Sequence, residues 1–373
     1  DNGNGVRDSD EKVYLMAWRD GDGNGRLDLS NRIDDDRRVY FRYMDGGDDT
    51  LQDDELALVD DEAEKFSIRP AIHDERGEVV RYLTDQEELQ NYVNWFSYYR
   101  KRGFVAKSAL AKSIAAAREV NIGIYPVSGK PSLGVVPVGV TWKPGDVPLQ
   151  GEKAETGPVF DSSVQLLDAI YAAPFHGPPA LREALDRVGR YFKTDATSTL
   201  GASPYVSEGK GGCCQQSHAI VVAGGYWDDR FSGTGNADGG LGIPYADGYS
   251  DTLADVAMYY YTSDLAPGLE DGMGSRGCDD ASHQHMVTHA LWAGGPDTLD
   301  LKRLLLPGAW DDAGQNGGPC LAGALASVPD WPRPEPGEAT TADDIFHAAV
   351  NGRGFFLAID RKSTRLNSSH VSQ

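Results

Sequence analysis

The chain has 373 residues, 40% of them hydrophobic, and a formal charge of −22. That length suits two units or one large domain with an insertion, with apolar content enough for a sizeable core. The acidity argues against polyanionic partners, since nucleic acid and anionic membrane surfaces would be repelled and cations attracted.

No run approaches the roughly 20 apolar residues of a transmembrane helix. No secretory leader is present. The chain opens inside a motif without an initiating Met, which reads as a fragment.

Residues 1–65 carry 20 Asp/Glu and 9 Lys/Arg, a net of −11 and so half of the total charge. Strand-like runs VYLMAW (13–18) and RVYFRYM (38–44) lead into acidic turns. The first of these turns, DGDGNGRLDLSN (20–31), has EF-hand spacing. Such a loop places oxygens at positions 1, 3 and 5, glycine at 6, a backbone carbonyl at 7 and further ligands at 9 and 12. Here those are Asp20, Asp22, Asn24, Gly25, the Arg26 carbonyl, Asp28 and Asn31. Alternate spacing wraps the chain around a hard cation, so Ca2+ is expected. Asn31 cannot supply a bidentate carboxylate, so the affinity should be modest. DNGNGVRDSDE (1–11) fits the same template with its first ligand missing, using Asn2, Asn4, Gly5, Asp8 and Glu11. DGGDDTLQDDE (45–55) fits worse and reads as a solvated acidic face. A solvated turn is also the plain alternative for 20–31.

Residues 66–85 carry no clear period. From Asp85 to Glu119, Leu89, Tyr92, Val93, Phe96, Tyr99, Phe104, Leu110 and Ile114 keep helical spacing. Strands are expected at 121–127 and 134–139, and a Pro/Gly-rich loop at 142–160. Helices follow near 162–172 and 176–192, the second with Pro179 in its first turn, where a missing N–H is harmless. AIVVA (219–223) reads as a buried strand running into Gly224 and Gly225. A helix at 250–265, a strand at 284–294, a helix at 341–354 and a strand at 355–359 complete the series. Strands alternating with helices predict an α/β fold with a doubly wound, mostly parallel sheet.

Four cysteines allow three pairings. Cys213 and Cys214 are adjacent, so links from them to Cys278 and Cys320 are the expected disulfides, against the alternative of four buried thiols. His283 and His285, two apart at a strand start, could chelate a metal, but no carboxylate or cysteine cluster completes a set. His218 near Cys213 and Cys214 invites a Cys–His nucleophile, though no orienting motif supports it. Phosphate-loop, Rossmann and HExxH motifs are absent.

NWFSYYRKRGFVAKSAL (94–110), PPALREALDRVGRYF (178–192), CQQSHAIVVAGGYWDD (214–229), PYADGYSDTLADVAMYYYTSDL (244–265), QHMVTHALWAG (284–294) and DDIFHAAVNGRG (343–354) resemble the von Willebrand factor A-type domain of PilY-type proteins. These are type IV pilus biogenesis factors and tip-associated adhesins. The resemblance runs in order over roughly 90–358. It implies an exported protein at the cell surface, pilus tip or outer membrane, raises the expectation of disulfides and calcium, and implies minor pilins and host or surface ligands as partners. The family's metal-dependent adhesion site would use a Thr where this chain has Pro178 and an Asp where it has Gly224. The resemblance therefore implies a degenerate site, and a first strand, bearing the remaining ligands, that precedes Asp1.

The resulting expectation is an acidic, calcium-bearing strand-and-loop insertion over 1–85, a von Willebrand A-like domain lacking its first strand over 86–359, and an adapter-derived tail over 360–373. The tail DRKSTRLNSSH resembles one reading frame of a sequencing adapter, so natural protein would end near Ile359. The function expected is non-enzymatic adhesion or pilus assembly. The alternatives are a secreted metal- or Cys/His-dependent enzyme and a generic extracellular calcium scaffold.

Overall fold

The computed structural model describes residues 13–18, 38–43, 56–58, 71–98 without 75 and 77, 102–127, 131–140, 160–174 and 179–358 without 276, 296, 300–320, 326 and 328. The chain divides into two compact units, Asp1–Val105 with Asp360–Gln373, and Ala106–Ile359. In the first unit, β1 (Val13–Trp18), β2 (Arg38–Tyr43) and β3 (Leu56–Leu58) form an antiparallel sheet in that order. The unplaced stretch at 66–85 contains a hairpin, β4 (Ala71–His73) with β5 (Val79–Tyr82).

The long helical pattern is two helices, α1 (Asp85–Tyr98) and α2 (Arg102–Ala116). The strands β6 (Val120–Ile124) and β7 (Leu133–Val138) follow as an antiparallel pair. Ile114, Val138 and, from α3 (Ser163–Ala172), Leu166 and Ile170 form a small core there.

The main core of the second unit is built on three parallel strands in the order β10 (Arg353–Ala358), β9 (Met286–Trp292), β8 (Ser217–Ala223). Parallel strands need crossover connections, usually helical. Here α5 (Leu253–Thr262) lies between β8 and β9, and α6 (Thr340–Asn351) precedes β10. α4 (Leu181–Phe192) precedes β8 and packs against α5. Pro179 sits outside α4, before its N-cap Ala180, rather than in the first turn. α5 starts on a capping box: the Thr252 hydroxyl accepts from Asp255 N–H, and Asp255 accepts from Thr252 N–H. Reciprocal capping satisfies two otherwise orphaned donors.

Leu253, Val256, Ala257, Met286, Ile345, Phe346 and Phe356 fill this core. Each fully buried Val, Leu, Ile, Met or Phe side chain among them contributes about 1.5–3 kcal/mol. Close approach selects glycine at two points. A Cβ at Gly189 of α4 would strike the Tyr260 ring of α5, and one at Gly354 would strike the Thr288 carbonyl of β9. The second explains part of the NGRG stretch, where the chain leaves α6 and drops directly onto β9.

The fold is thus mixed α/β with a three-stranded parallel sheet, while β6 and β7 pair separately and antiparallel. No helix among the described residues is long and apolar enough to cross a membrane.

Candidate functional site

β8 ends at Ala223, and Gly224 and Gly225 follow at its carboxyl end, where open α/β sheets place ligands. Gly224 would meet nothing nearer than the Ala293 carbonyl, 3.9 Å from an added Cβ, and Gly225 nothing within 4 Å. The aromatic and acidic residues that follow turn into the molecule. Tyr226 stacks on Trp292 with ring centres 5.7 Å apart. Trp227 is buried, donates Nε1–H to Asp344 at 3.1 Å, and lies under the Arg182 guanidinium at 3.9 Å. Asp229 pairs with Arg182. The turn therefore packs, and leaves a rim of backbone and glycine. Pro178 lies outside the described residues, as do both acidic loops, including Asp20, Asp22, Asn24, Arg26, Asp28, Asn31, Asn2, Asn4, Asp8 and Glu11.

The expected disulfide pattern needs correction. Cys213 and Cys214 carry free thiols, while Cys278 is disulfide-bonded. Cys320 lies outside the described residues. The two free sulfurs sit 2.9 Å apart in a short turn, and Cys214 donates toward the Gly272 carbonyl. The contact with Cys214 pushes the Cys213 thiol up to about 11. A thiol raised that far supplies little thiolate, the nucleophilic form. His218 faces His289 instead, Nδ1 to Nε2 at 3.1 Å. Nothing in this geometry assembles the Cys–His pair.

His283 and His285 do not converge on a common point. His283 Nε2 bonds the Tyr261 carbonyl at 3.1 Å, and His285 lies between the His283 carbonyl and Asp279, 2.7 and 2.8 Å away. Burial pulls the His285 pKa down, but the Asp279 carboxylate and the His283 carbonyl outweigh it, leaving it above the usual value. Hydrogen bonding at a strand end accounts for both rings.

The densest polar geometry lies where no spacing motif pointed, in the glycine-rich loop 233–252. Its backbone folds around carboxylates. Asp251 Oδ1 accepts from the N–H groups of Gly233, Thr234 and Gly235 at 2.8–3.0 Å. Asp255 accepts from Ala237 N–H. Asp238 accepts from Asp247 N–H through Oδ1 and from Asn351 Nδ2 through Oδ2. His347, one turn before Asn351 on α6, donates Nε2–H to the Tyr245 carbonyl at 2.6 Å and places Nδ1 3.4 Å from Asp247 Oδ2. Trp331 stacks on the His347 ring at 3.9 Å, fixing its plane.

Asp238, Asp247 and His347 thus converge: one ligating atom from each lies within 4.8 Å of the others, the one such grouping found among the described residues. Their side chains are 0%, 3% and 2% exposed. Burial raises Asp238 to about 6, against the Asp247 N–H and His347, which pull it down. Asp344, wholly buried, is also pushed to about 6 although it caps α5 through the N–H groups of Leu253 and Ala254. Sequence reasoning missed this cluster because Asp247 and His347 are a hundred residues apart. The available signal was His347 and Asn351 at i, i+4 on one helix, polar positions inside an otherwise apolar pattern.

The chain is homologous to the type IV pilus biogenesis factor PilY1 of Pseudomonas aeruginosa, at 25% identity over 401 aligned residues in strain PAO1 and over 317 in strain PAK. These alignments cover 95% and 74% of this chain, and 31% and 25% of the relatives. The chain therefore spans less than a third of the length of the curated relatives it matches. No family model and no solved structure matches it.

Proposed function

We propose that the chain is a von Willebrand A-like module of a PilY-type protein, serving type IV pilus biogenesis as an assembly or adhesive part and not as a catalyst. The observation that carries this reading is the 25% identity running along 95% of the chain to a pilus biogenesis factor. The order of elements supports the A-like part: three parallel strands with helical crossovers, and a glycine rim at the carboxyl end of β8. Since Gly224 and Pro178 offer no side-chain oxygen, the proposed adhesion site is degenerate and does not hold Mg2+, which needs several fixed oxygens.

The proposal extends to the organisation of the chain: an acidic Ca2+-binding insertion over 1–85, the A-like module over 86–359 and an adapter-derived tail over 360–373. The setting would be the pilus tip or outer membrane surface of an exporting cell, with minor pilins and a host or surface ligand as partners. The test is deletion of the segment for residues 86–359 from the complete gene in its own host. Loss of surface pili and twitching, restored by the intact gene, is expected. Normal piliation and adhesion in the deletion strain would refute the reading.

A further inference from the structure

We propose that Asp238, Asp247 and His347 form a buried structural site for one divalent first-row transition ion of the Mn2+ or Zn2+ class, locking the loop 233–252 onto α6.

The orientation of His347 is the first argument. A metal-bound imidazole commonly donates its other ring N–H to a carbonyl or carboxylate, which fixes the tautomer. His347 Nε2 makes that bond to the Tyr245 carbonyl at 2.6 Å, leaving the Nδ1 lone pair toward Asp247 Oδ2 at 3.4 Å. Two ligands each about 2.1 Å from a tetrahedral ion stand about 3.4 Å apart. A neutral imidazole lone pair beside a carboxylate is repulsive, and a cation between them turns that into coordination.

Asn351 supplies an independent observation. The residue is fully buried, and its Oδ1 has no hydrogen-bond partner. Its Nδ2 is held by Asp238 Oδ2 at 2.7 Å, which puts the same planar amide group beside the cluster. A buried acceptor left unmade costs about 1–3 kcal/mol. An ion at the cluster gives this oxygen a partner and the site a fourth ligand.

Charge points the same way. Asp238 and Asp344 both feel Asp247 and His347, and Asp247 lies 3.4 Å from His347, so three carboxylates crowd one imidazole. The donor set selects the ion. Ca2+ takes six to eight oxygens, whereas one imidazole with two carboxylates suits Mn2+ and Zn2+. The degree of burial makes the site closed and structural.

The experiment uses the full chain, stripped by a chelator, dialysed and titrated with Mn2+ alone, a probe that thiols such as Cys213 and Cys214 bind poorly. One tightly held ion per chain, a rise in melting temperature, and an electron–nuclear coupling to a single imidazole nitrogen are expected. His347→Gln should abolish the nitrogen coupling, and Asp247→Asn should weaken binding at least tenfold. Asp22→Asn, in the acidic loop, should leave the nitrogen-coupled ion in place. A chain that takes up no nitrogen-coupled ion, or a coupling that survives His347→Gln, overturns the proposal; the cluster is then an imidazolium paired with carboxylates. If either cluster variant does not fold, the nitrogen coupling in the unaltered chain decides.

Discussion

Phe355 and Phe356 are neighbours on β10 and share almost nothing else. Phe356 is 1% exposed and packs edge-to-face on Phe346 with ring centres 5.0 Å apart. Phe355 is 41% exposed. The same division runs across the sheet because successive strand side chains point to opposite faces. Ala219 and Ala223 of β8, which packs against α4, and Ala290 of β9, which packs against α5 and α6, are buried, while Ile220 is 58% exposed and Val222 38%. Parallel strands usually have both faces covered and read as continuous apolar runs. AIVVA has that composition on both faces, and the described structure buries one of them. Apolar composition specifies what a strand can tolerate; the neighbours actually present decide which half contributes to stability.

A matched pair of truncations tests this most strongly. Phe356→Ala removes a fully packed ring and should cost about 3–5 kcal/mol, a fall in melting temperature on the order of 10 °C. Phe355→Ala should cost about 1 kcal/mol or less. Equal losses, measured by thermal melts at several protein concentrations, would mean that the outer face is covered in solution. Asp344→Ala comes next. It strips a partner from Trp227 Nε1–H and from two N–H groups of α5. Stranding such donors should cost about 2–4 kcal/mol, visible as a lower denaturant midpoint at unchanged slope.

The outer face also carries a titrating histidine. Phe355 N–H donates to His289 Nδ1 at 3.0 Å, at the register shift between β10 and β9. Burial, then the neighbouring His218, lowers His289 to about 4. A histidine whose folded pKa is depressed contributes fully above its unfolded value of about 6.5. That contribution is lost as pH falls from about 6.5 toward 4, because the unfolded chain takes up the proton first. Asp238 and Asp344, raised to about 6, act oppositely in the same window. The readout is therefore a difference between two proteins. His289→Asn keeps an acceptor near the Nδ1 position and cannot charge. Relative to the unaltered chain it should gain stability between pH 6.5 and 5, by at most about 1.4 kcal/mol per pH unit. Parallel stability–pH curves for the two proteins would show that His289 does not titrate in this range.

The elements of this unit were legible because their signals are local. The runs behind β8, β9, α5 and α6 are continuous or periodic. Two kinds of information were not. The loop 233–252 has neither period, and its carboxylates acquire meaning only when α6 brings His347 and Asn351 against them. Cysteine pairing was the other: adjacency suggested that Cys213 and Cys214 bond elsewhere, yet their thiols are free and touch each other. The helix boundary at Pro179 failed for a related reason, since proline suits the first turn but does not require it. EF-hand spacing at 20–31 is a local signal like the helix caps, but it falls outside the described residues.

The smallest expected effect is at Gly224, where the sheet's two faces meet its carboxyl end. Gly224→Asp adds a side chain where the nearest neighbour of a Cβ is the Ala293 carbonyl at 3.9 Å, and Gly224 is not among the residues with positive φ. Neither crowding nor backbone strain opposes the substitution, so stability should change by no more than about 0.5 kcal/mol. A single carboxylate at that rim should not bind Mg2+ measurably, because an octahedral ion that releases its waters reluctantly needs more than one fixed anionic ligand. Calorimetric titration of Gly224→Asp with Mg2+ should therefore match that of the unaltered chain, and so should Gly224→Asp combined with Pro178→Thr. Heat from the single variant beyond that of the unaltered chain would show that the rim already holds oxygens aimed at an ion, and that glycine at 224 was all that kept the site silent.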